Sequence, residues 1–329
     1  MKAVCYSAFG GASDVLKLVD LPTPSPSAGE VLVRLTYSGV NPSDVKARSG
    51  SRPGVVKPAF PQIVPHSDGA GVIEAVGEGV DPARIGQRVW IWNGQWQRAF
   101  GTCAEYICIP SEQAVLLPEG VSDEVGAVMG IPGLTAVHTV LGAGPVAGKT
   151  VLVSGGAGMV GHLAVQVAKA SGAKVIATAS PEKAGIALGC GADAVLDYRS
   201  ENLAEQIVAA NGGNPIDHAV ELEFGKNIAT LSEVMAPNGR ICAYGSAQAP
   251  TPEIPFMNLM FKAITVEMAL VYILNEEQRS RAVGHLTSLL EAGALNPRIA
   301  PSFDLENVAS AHEAVENNTR DGAVLVKVG

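Results

Sequence analysis

Three glycines, spaced as Gly156-Ala-Gly158-Met-Val-Gly161, follow directly on the apolar run Val151–Ser154 and precede a helical pattern. Their spacing is that of a phosphate cradle. Glycine permits the tight turn, lets a pyrophosphate approach the backbone, and allows close helix–strand packing. Free N–H groups at the positive end of the helix would hold the anion. The spacing alone is weak. Its strand–turn–helix setting points to dinucleotide binding, against the rival reading of a merely tight turn.

The second strand of such a unit selects the dinucleotide. An acid about 20 residues on bonds the ribose 2′-hydroxyl of NAD, and it would repel a 2′-phosphate. Here the strand ends Thr178-Ala179-Ser180, with no acid. Ser180 is placed to donate to a 2′-phosphate and Lys183 to neutralise it, with Glu182 as an opposing neighbour. Tyr198 and Arg199 fall where the adenosine end should reach. These residues favour NADPH over NADH; the alternative is that Lys183 and Arg199 are solvated surface charges.

Other chemistries find less support. Five cysteines (Cys5, Cys103, Cys108, Cys190, Cys242) are scattered without a C-x-x-C pair, and six histidines are dispersed. Neither set forms a zinc cluster, so no metal is expected. The cysteines fit a reducing compartment without a disulfide framework. His138 and His162 read as packing residues on helices. No G-x-S-x-G elbow appears, which argues against a hydrolase. Glu221 and Glu223 share a face at the end of a strand; a solitary ion-pair or ligand contact suits them better than acid/base work. Trp90, Trp92, Trp96 and Phe100 crowd one segment. Trp92 and Trp96 flank a turn at Asn93-Gly94 and are read as an aromatic wall for a flat substrate, with core packing the rival, strongest for Trp90.

These groups need elements to hold them. The chain has 329 residues, 47% apolar and 17% charged, enough for two domains with full cores. A net charge of −9 without a basic run argues against a nucleic-acid partner and an anionic membrane surface. No apolar run reaches membrane-helix length and no signal-peptide pattern opens the sequence, so a cytoplasmic protein is expected. Residues 1–124 read as short strands of a mostly antiparallel β-domain, with Val31, Val33 and Leu35 alternating with polar neighbours. Strands are expected at 151–154, 174–178, 194–197, 217–221 and 240–244, alternating with helices in a parallel sheet. Val160, Leu163, Ala164 and Val167 give the first helix its buried stripe, and Gly172 ends it. A later helix starts at Asn275 with Gln278 as capping-box partner, and Val283, Leu286, Leu289 and Leu290 line its apolar face.

Further motifs are spread along the whole chain: Ser38-Gly-Val-Asn-Pro-Ser-Asp44, Ala47-Arg-Ser-Gly50, Ser67-Asp-Gly-Ala-Gly-Val-Ile-Glu-Ala-Val-Gly77, Ala104-Glu-Tyr106, Gly130-Ile-Pro-Gly-Leu-Thr-Ala136, Ile216-Asp217 with Glu221, and Gly239-Arg-Ile-Cys-Ala-Tyr-Gly-Ser246. With them the chain resembles the zinc-independent quinone oxidoreductases (zeta-crystallin type) of the medium-chain dehydrogenase/reductase superfamily. The resemblance implies an α/β fold: a GroES-like, mostly antiparallel β catalytic domain from 1–124 and 273–329, and a doubly wound Rossmann domain for NADPH from 125–272, with the active cleft at their junction. Zinc alcohol dehydrogenases of that superfamily carry Cys in the position of Asn41 and His in the position of Ser67, so the resemblance implies no catalytic zinc here.

Carried over residue by residue, the resemblance implies Asn41 and Thr135 at the nicotinamide end. Gly158, Met159 and Val160 would meet the pyrophosphate, beside Gly156 and Gly161 of the glycine motif. Ser180, Lys183 and Tyr198 would meet the 2′-phosphate end. Tyr244, Gly245 and Ser246 would line the cofactor cleft, and Arg320 is the nearest match to a carboxyl-terminal arginine of the family. It also implies a homodimer paired edge to edge through the apolar 264–271 strand; the rival reading is that this strand is internal.

The reaction implied is hydride transfer from NADPH to a quinone or an α,β-unsaturated carbonyl. The alternative is a non-catalytic, crystallin-like NADPH-binding protein. As hydride arrives, negative charge grows on the carbonyl oxygen, and losing a fixed donor there typically costs about 2.7–4 kcal/mol. Lys46, where zeta-crystallin-type members have Tyr, is the expected donor, with Asn41 or Thr135 assisting; in this the chain looks like the enone-reducing branch. The rival reading of Lys46 is a surface lysine or a partner of Asp44. No dedicated acid is identifiable, which leaves water as the final proton source.

Overall fold

A computed structural model gives the structure of residues 1–51 and 54–329. The alternating segment around Val31, Val33 and Leu35 forms an eleven-residue strand, Glu30–Val40. It is the spine of a seven-stranded sheet. Asp68–Val76 pairs antiparallel along one edge of the spine. Along the other edge Tyr106–Pro110 pairs with the first half, and Val324–Lys327 with the last residues, Tyr37–Val40. The carboxyl-terminal strand is thus built into the amino-terminal sheet. Arg88–Ile91 and Ala114–Leu116 extend the sheet, also antiparallel. The sheet covers a core that includes Val31, Leu35, Ile73 and Ile107 together with Ala311 and Val315 of the helix Val308–Glu316.

The βα alternation after Thr150 gives a six-stranded sheet, parallel throughout. Its spatial order is Ala194–Asp197, Lys174–Ala179, Thr150–Val153, Ile216–Glu221, Met235–Ala243, Thr265–Met268. Counted along the chain this is 3-2-1-4-5-6, the order of a doubly wound dinucleotide fold. The order reverses between Thr150–Val153 and Ile216–Glu221, and ligands of such sheets bind beyond the strand ends at that switch point. Helix Met159–Ala170 starts there, and Gly172, with φ +80°, follows its end as expected.

Two elements differ from the sequence reading. The strand expected at 240–244 runs over Met235–Ala243, with a register shift opposite Ile216/His218 and Asn238 at φ +60°. The apolar run from Ile264 is not one strand: Thr265–Met268 pairs in the sheet and a short turn, Val271–Ile273, follows.

The chain folds as two compact units, Met1–Ile131 with Pro297–Gly329, and Pro132–Asn296. The divisions expected at 125 and 273 thus fall inside them. Helix Glu276–Glu291 has the expected Asn275/Gln278 capping box and goes with the second unit, packed on helix Leu134–Leu141. Gln166 then ties down Asn296: its Oε1 accepts from the Asn296 N–H at 2.6 Å and its Nε2 donates to the Asn296 carbonyl at 3.2 Å. Among the described residues no helix is long and apolar enough to cross a membrane.

Candidate functional site

The glycine cradle is built by steric necessity. Gly155 has φ +68°. A Cβ on Gly156 would stand 2.7 Å from that of Ala177, and one on Gly161 would stand 2.2 Å from the Gly155 carbonyl oxygen. Thr178 staples the turn to the second strand: its hydroxyl accepts from the Gly155 N–H at 3.1 Å and its carbonyl from the Gly156 N–H at 2.8 Å. The first bond of the following helix runs from the His162 N–H to the Gly158 carbonyl at 2.7 Å. The N–H groups of Met159, Val160 and Gly161 therefore emerge at the helix end, where a pyrophosphate fits. His162 itself is buried and meets the Asn296 carbonyl at 3.0 Å, the packing role expected of it.

Ser180, Glu182, Asp197, Tyr198 and Arg199 gather beyond the second and third strands. Arg199 bonds Asp197 through Nε at 3.0 Å, lies 3.8 Å from Glu182, and stacks 5.7 Å over the Tyr198 ring. Its guanidinium is committed to two acids rather than free for a ligand. Ser180 hydrogen-bonds the Glu182 carboxylate, which holds that carboxyl below its usual range. Lys183 is exposed and has no ion-pair partner among the described residues. It is the uncommitted cation of the cluster.

Glu221 ends its strand fully buried. It accepts from Ser154 Oγ, from the Glu223 N–H, and from Asn227 Nδ2 at 2.9 Å. Burial pushes its carboxyl up despite these donors. Glu223 instead accepts from the Gln248 N–H at 2.7 Å. The two acids are therefore local braces, Glu221 holding the residue before the glycine turn. The Tyr244 N–H donates to the Glu221 carbonyl at 2.9 Å, and a Cβ on Gly245 would lie 2.4 Å from the Leu222 carbonyl oxygen. Ser246 Oγ accepts from the Gly225 N–H at 2.8 Å and donates to the Ala249 carbonyl at 2.6 Å. Its hydroxyl proton is thereby spent locally. Thr135 is buried in helix Leu134–Leu141, and its carbonyl takes the Thr139 hydroxyl at 2.7 Å.

In the first unit Asn41 precedes the short helix Pro42–Ser49. Its N–H donates to Asp44 Oδ2 at 2.8 Å, and its Nδ2 donates to Asp68 Oδ2 at 2.7 Å. Asp68 is buried at the start of strand Asp68–Val76, and burial pushes its carboxyl well above the usual range. A Cβ on Gly130 would lie 2.1 Å from Asp68 Oδ1, so the acid needs that glycine. Lys46 is exposed on the helix and makes no ion pair among the described residues; Asp44 serves Asn41 instead. Trp90 is fully buried in strand Arg88–Ile91, Trp92 is buried, and Trp96 is half-buried. The turn at Asn93 is present, with φ +54°. Arg320 is half-buried, and burial lowers its pKa.

Sequence reasoning missed Asp68 as the partner of Asn41. A lone acid opening the otherwise apolar Asp68-Gly-Ala-Gly-Val-Ile run was the available signal. Among the described residues no group of three or more His, Cys, Asp or Glu side chains is placed to hold a metal ion.

Two family models match the chain: an alcohol dehydrogenase GroES-like domain over residues 27–119 and a zinc-binding dehydrogenase over 159–287. A quinone oxidoreductase of Sus scrofa is 34% identical over 318 residues, covering 96% of this chain and 94% of its own. The solved native structure of a mycobacterial quinone oxidoreductase superposes with a TM-score of 0.87 at 29% identity, covering 99% of each chain. A mycobacterial protein solved in complex with NADPH superposes with a TM-score of 0.84 at 28% identity, again over 99% of each chain.

Proposed function

The chain belongs to the quinone oxidoreductases of the medium-chain dehydrogenase/reductase superfamily, and on that footing we propose that it reduces quinones or α,β-unsaturated carbonyl compounds with NADPH and without a metal ion. The observation that carries the reading is the glycine cradle, where a side chain on Gly156 or Gly161 would collide with the fold. Bound there, a reduced nicotinamide dinucleotide supplies hydride to an acceptor that is already electron-poor.

The chain's own residues bind and orient. The N–H groups of Met159, Val160 and Gly161 take the pyrophosphate. Lys183 takes the 2′-phosphate, with Tyr198 against the adenosine and Ser180 available once it releases Glu182. Thr135, Tyr244 and Gly245 line the nicotinamide end, with Ser246 holding the turn and Arg320 as a further cofactor contact. On the substrate side, one Nδ2 hydrogen of Asn41 is spent on Asp68, which leaves the second to donate. Lys46, which makes no ion pair among the described residues, brings positive charge to the carbonyl oxygen, where a donor is worth about 2.7–4 kcal/mol in the transition state. Trp96, only half-buried, offers its ring to a flat substrate, with the buried Trp92 as the second member of the aromatic wall.

The test is oxidation of NADPH, and separately of NADH, by chelator-treated protein against a panel of quinones and enones. Turnover favouring NADPH and indifferent to chelation supports the proposal. Tight NADPH binding with no turnover across the panel rejects it in favour of a non-catalytic NADPH-binding protein.

The same reading includes a homodimer in the cytoplasm. Among the described residues strand Thr265–Met268 pairs on one side only. Around it Phe256, Phe261, Met268 and Ile273 are 66%, 78%, 64% and 65% exposed, an apolar surface that calls for a partner. A second copy, its edge strand antiparallel to the first, fits it. Phe261→Glu should then convert a dimer to a monomer in sedimentation velocity; a wild-type monomer rejects the assignment.

A further inference from the structure

Behind the Asn41–Asp68 pair lies a chain of buried polar groups that the reaction as described does not use. Thr102 Oγ1 donates to the Asp68 carbonyl at 2.6 Å. Ser38 Oγ lies 2.8 Å from Thr102 Oγ1 and 2.8 Å from His66 Nδ1. His66 Nε2 lies 2.8 Å from His312 Nε2, with the two rings stacked at 5.0 Å between centroids. Ser38, His66, Thr102 and His312 have no solvent exposure. The chain links the Glu30–Val40 strand, the loop before Asp68, and helix Val308–Glu316.

Counting protons fixes its direction. Thr102 has one hydroxyl hydrogen and gives it to the Asp68 carbonyl, so Ser38 must donate to Thr102. Ser38 then has none left, so His66 donates from Nδ1. A neutral His66 therefore has a bare Nε2, which requires His312 to carry its hydrogen on Nε2. His312 Nδ1 is left as the bare end, and it has no hydrogen-bond partner among the described residues.

The neutral form is enforced by the surroundings. Burial pushes both imidazoles down, His66 well below its usual range and His312 to about 3. Arg48, buried on helix Pro42–Ser49, turns its positive charge toward His312 while bonding the Gly10 carbonyl and, at 2.8 Å, Glu316. At the far end of the track stands Asp68, whose charged neighbour is Asp44. His66 also holds φ +74°, a left-handed backbone costly for a residue with a side chain, which its hydrogen bonds at both ring nitrogens help to retain.

We infer that His66 and His312 are positioning residues: as a neutral pair with fixed, complementary tautomers they orient the Ser38–Thr102 track, hence the backbone of Asp68 and the amide of Asn41. The claim that this matters for turnover rests on Asn41 serving the proposed reductase. The track ends on a carbonyl oxygen, which takes no proton at working pH, so it orients and does not conduct.

The test combines nitrogen-15 NMR of the histidine rings and the asparagine side chains with kinetics. The expected spectrum has a protonated Nδ1 on His66 and a protonated Nε2 on His312; the reverse assignment overturns the inference. His312→Phe removes the donor, whereas His312→Gln retains one. The phenylalanine variant should shift the Asn41 side-chain amide and lower kcat about tenfold to a hundredfold, with KM for NADPH little changed. The glutamine variant should restore both. Ser38→Ala breaks the track elsewhere and gives the same signature should His312→Phe fail to fold. An unmoved Asn41 amide in a folded broken-track variant overturns the inference. Amide shifts in a protein whose wild type reduces no quinone or enone leave the track standing and reject the reductase reading instead.

Discussion

The Asn41 amide is anchored on a buried acid: Nδ2 donates to Asp68 Oδ2 at 2.7 Å, and both side chains are shielded from solvent. The relationship fixes the face Asn41 presents and makes it sensitive to charge. Asn41→Asp is nearly isosteric but replaces the donor with a second acid beside a carboxyl whose pKa burial already raises well above its usual range. Both would then have raised pKa values, so stability is retained at low pH and lost as pH rises. The variant should be about 1–3 kcal/mol less stable than wild type near neutral pH, with the gap narrowing as the pH falls. Urea unfolding of both proteins across pH measures it; a gap independent of pH would reject the account.

Discrimination between cofactors should sit on Lys183, not Arg199. Lys183→Ala is expected to weaken NADPH by about 1.5–3 kcal/mol, the worth of a charged contact, and NADH little. Arg199→Ala should do less, because its guanidinium is engaged by Asp197 and Glu182. Glu182→Gln removes an opposing charge and frees Ser180, so it should tighten NADPH. Fluorescence titration of both cofactors decides; equal losses for NADPH and NADH in Lys183→Ala would remove that residue from the phosphate site.

Much of this site is legible in sequence because it is local. The glycine cradle, its strand and its helix occupy one continuous stretch, and the absence of an acid after Thr178 can be read directly. The parallel sheet is legible for the same reason, since short strand-like runs alternate with helix-length segments, the first of them striped by Val160, Leu163, Ala164 and Val167. The partners of Asn41, Ser38 and His66 are not. They lie 27, 64 and 246 residues away along the chain, and a side-chain pair across such a span leaves no periodic trace. The unit with which residues 273–296 pack is hard to read for another reason. The stripe on helix Glu276–Glu291 shows that the helix packs, but not on which unit, and the Gln166–Asn296 bonds that settle it span 130 residues.

Gly161 and Gly185 make a matched pair of substitutions. A Cβ on Gly161 would meet the Gly155 carbonyl oxygen at 2.2 Å and the Gly156 Cα at 3.1 Å, both backbone, so the cradle must open. Gly161→Ala should cost roughly 1–3 kcal/mol of stability and at least about tenfold in cofactor affinity. A Cβ on Gly185, inside helix Ala184–Gly189, meets nothing within 4 Å. Gly185→Ala should therefore stabilise by about 0.4–1 kcal/mol and leave affinity unchanged. Thermal unfolding and cofactor titration of the two proteins check this; unaltered binding by Gly161→Ala would show that the cradle does not hold the cofactor.

Acid should loosen the first unit through its histidine pair. Buried His66 and His312 have folded pKa values below their unfolded value of 6.5, that of His312 at about 3. Below pH 6.5 the unfolded chain therefore binds protons that the folded chain refuses, and stability falls with pH until the folded values are reached. Each histidine contributes a slope of at most about 1.4 kcal/mol per pH unit. Asp68 opposes this: its folded pKa is raised, so the unfolded chain releases a proton above 3.8 that the folded chain retains. Two histidines against this carboxyl, and in the second unit the lowered His138 and His218 against the raised Glu221, leave a net loss of stability on acidification. Urea midpoints followed by tryptophan fluorescence, which reports on the first unit because all three tryptophans lie in it, should drop between about pH 6.5 and pH 5, and His312→Gln should flatten the curve by one proton's worth of slope. A midpoint constant over that window, or an unchanged slope in the glutamine variant, would mean that the pair is protonated in the folded protein and that its tautomers are not those the proton count requires.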